Sequence, residues 1–230
     1  MKNRKYLFFI FLGVLLAFMF IFYFVFVNRA VQEDRLMTAA GNYAEQNFLK
    51  DREFSSSPVF FGYRTIENSI EEYIQSFYKQ YQIVQQYADD EQLKTLLSIS
   101  NYSEDGPEFS NSISYVEELR ENFDQDMQKL LAFCSSDNLN DYASRLDMSS
   151  YYQKLFVEIM MESGVFKQLE GYKDSFLESE NHMNQVFNTT IQVFDFLKTN
   201  ASNWKIDGEE IQFSTEDLVV QYNTLVSEVQ

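Results

Sequence analysis

Cysteine, histidine, proline and glycine are all scarce in this chain of 230 residues, which holds one, one, two and seven of them. Each shortage closes a class of explanation. The single cysteine, Cys134, allows no intramolecular disulfide, and its place after Leu130, Leu131 and Phe133 suits a small buried apolar side chain. A lone histidine, His182, leaves a zinc site without enough nitrogen and sulfur ligands. It also argues against Ser-His-Asp and Cys-His catalysis. So few turn residues favour helices over a sheet sandwich. No glycine-rich loop is present to cradle a phosphate.

Positive charge is the other shortage. The chain carries 18 lysines and arginines against 35 acids, a formal net charge of −17. Three of those bases, Lys2, Arg4 and Lys5, precede residue 28, and all 35 acids follow it, leaving 15 bases beside them. A nucleic-acid interface therefore has no basic patch to stand on. The same acidity repels anionic lipid head groups and keeps an exposed domain soluble. Paired acids such as Glu71-Glu72, Asp89-Asp90, Glu117-Glu118 and Glu209-Glu210 follow from composition alone, and solvated helix faces account for them. The stretch Asn101 to Ser112 places Gly106 where a calcium loop needs glycine, but puts Ser103 third and Ser112 twelfth, where acids belong. No catalytic, cofactor or metal residue is expected.

What is abundant is apolar and aromatic. Tyr6 to Val27 holds 22 residues without a charge. As a helix it would reach ~33 Å, enough for a hydrocarbon core of ~30 Å. The run is too long for a signal peptide, and Phe26-Val27-Asn28-Arg29 is a poor cleavage site, so an uncleaved signal anchor is expected. The three bases before the run place the N-terminus in the cytoplasm. Gly13 and Ala17, four apart, make a small-xxx-small pair suited to contact between transmembrane helices.

Beyond the anchor, apolar residues recur at three- and four-residue spacing. Leu36, Ala40, Tyr43 and Phe48 mark a first helix to about residue 50, ended at Ser55-Ser56-Ser57-Pro58. Ile66, Ile70, Ile74, Phe77, Tyr81, Val84 and Ala88 mark a second over about 64–99, with a kink at Asp89-Asp90. A polar loop over 101–112 is expected next. A third helix covers about 113–134, a short one about 138–146, and another starts at Ser149 or Ser150 and carries Leu155 to Leu169. Gly171 separates that from a long helix ending near Lys198.

The period then changes. In the segment from Trp204 to Phe213 apolar residues alternate around Asp207-Gly208, predicting a hairpin over about 203–213. Trp204, Ile206, Ile211 and Phe213 would share its core face. A last helix is predicted over about 215–229. Tyr63, Tyr73, Tyr78, Tyr87, Tyr151 and Tyr152 are candidates for a partly exposed, interface-forming surface.

The expected architecture is all-α: a cytoplasmic N-terminus (1–5), a transmembrane helix (6–27), and an extracytoplasmic helical bundle (28–230) with the small hairpin. The expected role is non-enzymatic. A single-pass membrane protein would present an acidic helical domain to another envelope protein, or to itself, in a bacterial cell envelope. The alternative is an extracytoplasmic module that binds a small molecule or peptide and works with a separate membrane partner. The two differ in surface: an exposed apolar patch suits the first, an enclosed pocket with convergent polar groups the second.

Overall fold

The computed structural model describes residues 2–46, 49, 54 and 61–229, with the side chains of residues 2–10, 24, 25 and 61 outside that description. Helices dominate. In chain order they are α1 (Lys2–Phe22), a π-helical turn (Tyr23–Val27), α2 (Asn28–Ala44), α3 (Phe61–Ala88), α4 (Glu91–Thr95), α5 (Ile99–Asp105), α6 (Ser110–Ala132), α7 (Ser136–Arg145), α8 (Ser150–Glu162), α9 (Val165–Gly171) and α10 (Lys173–Thr199). A 3-10 turn (Ala201–Asn203), strands β1 (Trp204–Asp207) and β2 (Glu210–Phe213), and α11 (Glu216–Ser227) complete the chain. Phe48 and the Ser55–Pro58 break lie outside the described residues.

The helices group into two compact units, and the chain visits each twice. The first comprises residues 1–76 and 136–170, the second 77–135 and 171–230. The undivided helical domain read over 28–230 has no break in its sequence at these points. The first division falls inside α3, whose apolar stripe continues past it without interruption.

In the first unit α2 packs on α8, and α7 on α8. Leu36, Ala40 and Tyr43 of α2 are buried, as are Leu155, Phe156, Ile159 and Met160 of α8. The start of α3 adds Ile66, Ile70 and Tyr73 to this core. The Tyr73 ring meets those of Tyr142 and Phe156 edge-on at 5.0 and 6.4 Å. Tyr63 and Tyr73, expected among the part-exposed tyrosines, are 4% and 2% exposed, whereas Tyr78, Tyr87, Tyr151 and Tyr152 are half-buried. The two buried rings stand on the Ile66–Ile70 face of α3, so the helix carries them inward.

The second unit is organised around α6 packed on α10. Val116, Phe123, Met127 and Leu130 of α6 and Phe187, Val193, Phe194 and Leu197 of α10 are all buried. Phe123 meets Phe187 edge-on at 5.7 Å. Cys134 is buried. The hairpin sits at the end of α10. Trp204 pairs with Phe213 and Ile206 with Ile211, and these four are half-buried while Lys205, Asp207, Glu210 and Gln212 are exposed. The Trp204 indole N–H donates to the Leu197 carbonyl at 2.7 Å. Its ring stacks on Phe109 at 6.2 Å.

Several expected elements are divided differently. The helix read over 64–99 ends at Ala88, because Asp90 adopts extended backbone and its carboxylate caps α4 by accepting from Leu93 N–H at 2.7 Å. The polar loop read over 101–112 is largely helical. Ser98 caps α5 by accepting from Asn101 N–H, and Asp105 accepts from Ser112 N–H at 2.7 Å in the first turn of α6. The helix begun at Ser150 breaks at Gly164, whose φ of +89° suits only glycine.

Among the described residues no helix is long and apolar enough to cross a membrane. The apolar run read as a transmembrane helix is shared between α1 and the π-helical turn, where Asn28 N–H reaches back to the Tyr23 carbonyl. Part of it, Tyr6–Ile10 with Phe24 and Val25, lies outside the described side chains.

Candidate functional site

Among the described residues no three histidine, cysteine or acidic side chains converge where a metal ion could bind. His182 is exposed on α10. The acids that do gather act as structural hubs. Asp126 on α6 accepts from the Tyr87 hydroxyl at 2.8 Å, from the Gln80 amide at 3.4 Å and from the Lys129 ammonium at 2.8 Å. Burial pushes its carboxyl up, but these donors outweigh burial and hold it below the usual range. Asp105 behaves alike: burial raises it, and the Ser112 and Asn111 donors bring it lower.

A second polar cluster lies in the first unit, just beyond the apolar segment. Glu33 of α2 accepts from Arg29 Nε at 2.8 Å, from the Tyr63 hydroxyl at 3.4 Å and from the Tyr151 hydroxyl. The Arg29 guanidinium lies 3.9 Å from the centroid of the Tyr151 ring, a cation–π contact. Burial first, and then the Glu33 carboxylate, push the Tyr151 hydroxyl upward. One carboxylate thus ties α2 to both α3 and α8.

A groove of about 460 Å³ opens in the second unit. Its floor is α10, through Met183, Val186 and Thr190, with His182 at one edge. Ala88 closing α3, and Leu93, Lys94 and Leu97 after it, form one wall. Val226 near the end of α11 and Val229 just beyond it form the other. The spacing of 183, 186 and 190 along α10 is that of a single helix face.

Polar groups do not converge in this groove. The Thr190 hydroxyl donates to the Val186 carbonyl at 2.8 Å. The Lys94 ammonium is held by Glu91 at 3.2 Å and Asp89 at 3.6 Å. Both acids that hold Lys94, Asp89 and Glu91, are exposed. The groove is therefore largely apolar within.

The wall formed by α11 is fixed through Tyr222. Its hydroxyl pairs with that of Tyr102 at 2.9 Å, and its ring meets Phe213 and Phe196 at 5.2 and 6.5 Å.

The residues singled out from sequence lie elsewhere. Gly13 and Ala17 are exposed on α1, and a Cβ added at Gly13 would meet nothing within 4 Å. The hairpin face of Trp204, Ile206, Ile211 and Phe213 braces the end of α10 and does not line the groove. Leu93, Leu97, Val226 and Val229 carry no signal of their own in the sequence. Compared with protein-family models, curated proteins and solved structures, the chain matches none.

Proposed function

We propose that this chain is a non-enzymatic, single-pass membrane protein that presents an acidic helical region for protein–protein interaction or scaffolding in a bacterial cell envelope. The observation that carries the reading is the exposure of the apolar N-terminal segment. Phe11, Leu15, Phe18, Phe20, Ile21 and Phe22 are between 46% and 74% exposed, far more contiguous apolar surface than water tolerates. A bilayer satisfies that surface, and the basic residues before it keep the N-terminus in the cytoplasm. The residues beyond it then lie outside the cytoplasm. Their partner is another envelope protein or a second copy, with no role for nucleic acid and no cofactor.

A second reading, an extracytoplasmic module that binds a small molecule or peptide alongside a separate membrane partner, draws on the groove between α10 and α11. Its volume lies within the range of ligand pockets, about 300–1,000 Å³. The engagement of Thr190 and Lys94 with their own neighbours weighs for an extended protein surface over a small polar ligand.

Crosslinking in native membranes, followed by identification of the captured protein, tests the reading. A defined envelope partner or a self-crosslink is expected. A chain that is recovered uncrosslinked and extracted from membranes by alkaline carbonate would overturn it.

A further inference from the structure

We infer that the first unit stands directly on the lipid headgroup layer, with the opening turns of α3 and α8 and the loop between α7 and α8 as its contact surface. The inference rests on the anchored reading above and adds which end of the unit meets lipid. Spacing, direction and chemistry carry it.

Spacing leaves no linker. α1, the π-helical turn and α2 follow one another without a break from Lys2 to Ala44. Val27 ends the apolar run, and Gln32 is already buried in the unit at 1% exposure. The helical rise between those two residues is about 8 Å. A headgroup layer occupies about 5–8 Å on each side of the hydrocarbon, and a tilt of about 20° shortens the rise only slightly. The unit therefore begins where the headgroups end.

Direction says which end that is. The Glu33 carboxylate of α2 accepts from the Tyr63 hydroxyl in the first turn of α3 and from the Tyr151 hydroxyl in the first turn of α8. Two turns further along α2, a Cβ added at Gly41 would lie 3.8 Å from the Ser163 carbonyl, at the far end of α8. Positions on the two helices rise together, so α8 runs parallel to α2 and away from the bilayer. α3 behaves alike: Tyr63 meets Tyr152 edge-on at 5.4 Å, and Tyr73 meets Phe156 at 6.4 Å. The opening turns of both helices face the lipid, together with residues 146–149 leading into α8.

Chemistry suits that place. Tyr151 and Tyr152 are half-buried, and tyrosine, with an apolar ring and a polar tip, is favoured at a membrane interface. The Arg29 guanidinium lies over the Tyr151 ring and is paired with Glu33. Segments 28–35, 62–64 and 145–152 hold four arginines against three acids, in a chain whose net charge is −17. This end escapes the repulsion that the acidity of the rest would meet.

The test reconstitutes the full chain, with Cys134→Ala, in liposomes of phosphatidylcholine. A bimane fluorophore is attached at one introduced cysteine at a time: Leu15→Cys, Arg64→Cys, Ser149→Cys or Glu162→Cys. Residues 64, 149 and 162 are all exposed, and 162 lies about 20 Å along α8 from 149. Bromine on the acyl chains should quench the label at 15. A nitroxide on the headgroup should remove most of the emission at 64 and 149 and leave that at 162 unchanged. Circular dichroism identifies a variant that misfolds, and positions 64 and 149 report the same end independently.

Quenching at 15, with 64 and 149 as bright as 162, would leave the anchor standing and sink this inference alone. Headgroup quenching at 162 equal to that at 149 would mean that the unit lies on its side, which overturns the seating as well. A label at 15 untouched by brominated lipid would remove the anchored reading and this inference with it.

Discussion

Removing the hydroxyl of Tyr222 isolates the contact that holds α11, and with it one wall of the groove, against the second unit. Tyr102 is 1% exposed, and its hydroxyl lies 2.9 Å from that of Tyr222. In Tyr222→Phe the Tyr102 hydroxyl loses this partner while staying buried, a cost of about 1–3 kcal/mol. Tyr102→Phe leaves the Tyr222 hydroxyl in a less buried place and should cost about 0.5–1.5 kcal/mol. The double variant removes both polar atoms from an aromatic setting, so its cost should fall short of the summed single costs by about 0.5–3 kcal/mol. Urea unfolding followed by fluorescence reads this directly, because Trp204 is the only tryptophan and packs on Phe109 in the same unit. Additive single costs within about 0.5 kcal/mol would refute the pairing and the fixed position of α11.

Two further outcomes follow from backbone and charge. Gly164→Ala should destabilise the first unit by about 1–2 kcal/mol, since φ is +89° and the added Cβ would make only an ordinary 3.8 Å contact with Ala44. Its control, Gly171→Ala at the end of α9, meets nothing within 4 Å and should be neutral or stabilising by up to ~1 kcal/mol, as the denaturation midpoints will report. Asp126 and Asp105 have depressed folded values, so the stability they contribute is complete above the unfolded carboxylate value of ~3.9 and disappears as pH falls through the lower folded values. Unfolding curves taken between about pH 5 and about pH 2 should therefore converge for wild type and Asp126→Asn at the acid end. A constant gap across that range would show that the Tyr87, Gln80 and Lys129 contacts do not hold the carboxylate ionised.

Much of the helical framework was legible in periodicity. The helix read over 113–134 and the long helix after Gly171 appear as α6 and α10, whose buried Val116, Phe123, Met127, Phe187 and Phe194 form the core of the second unit, and Cys134 is buried as expected. The hairpin was equally plain, because alternation about Asp207-Gly208 admits one register that places Trp204 opposite Phe213. Breaks were harder. That at Asp90 falls at the kink read from Asp89-Asp90, but that at Ser98 depends on one capping side chain within an otherwise helical pattern, and that at Gly164 on a single residue with positive φ. The division into two units left no mark, since residues 76 and 77 are neighbours in an unbroken helix. The groove was invisible for a different reason. Ala88, Leu93, Val186 and Val226 come from four separate elements, and no local period links them.

The tether and the outward-facing helical region are tested together by proteinase added to intact spheroplasts carrying different epitopes at the two ends of the chain. The C-terminal epitope should vanish, while the N-terminal one survives on a short fragment that sediments with the membranes. A C-terminal epitope that resists digestion, or an N-terminal one released into the supernatant, would contradict the anchored topology.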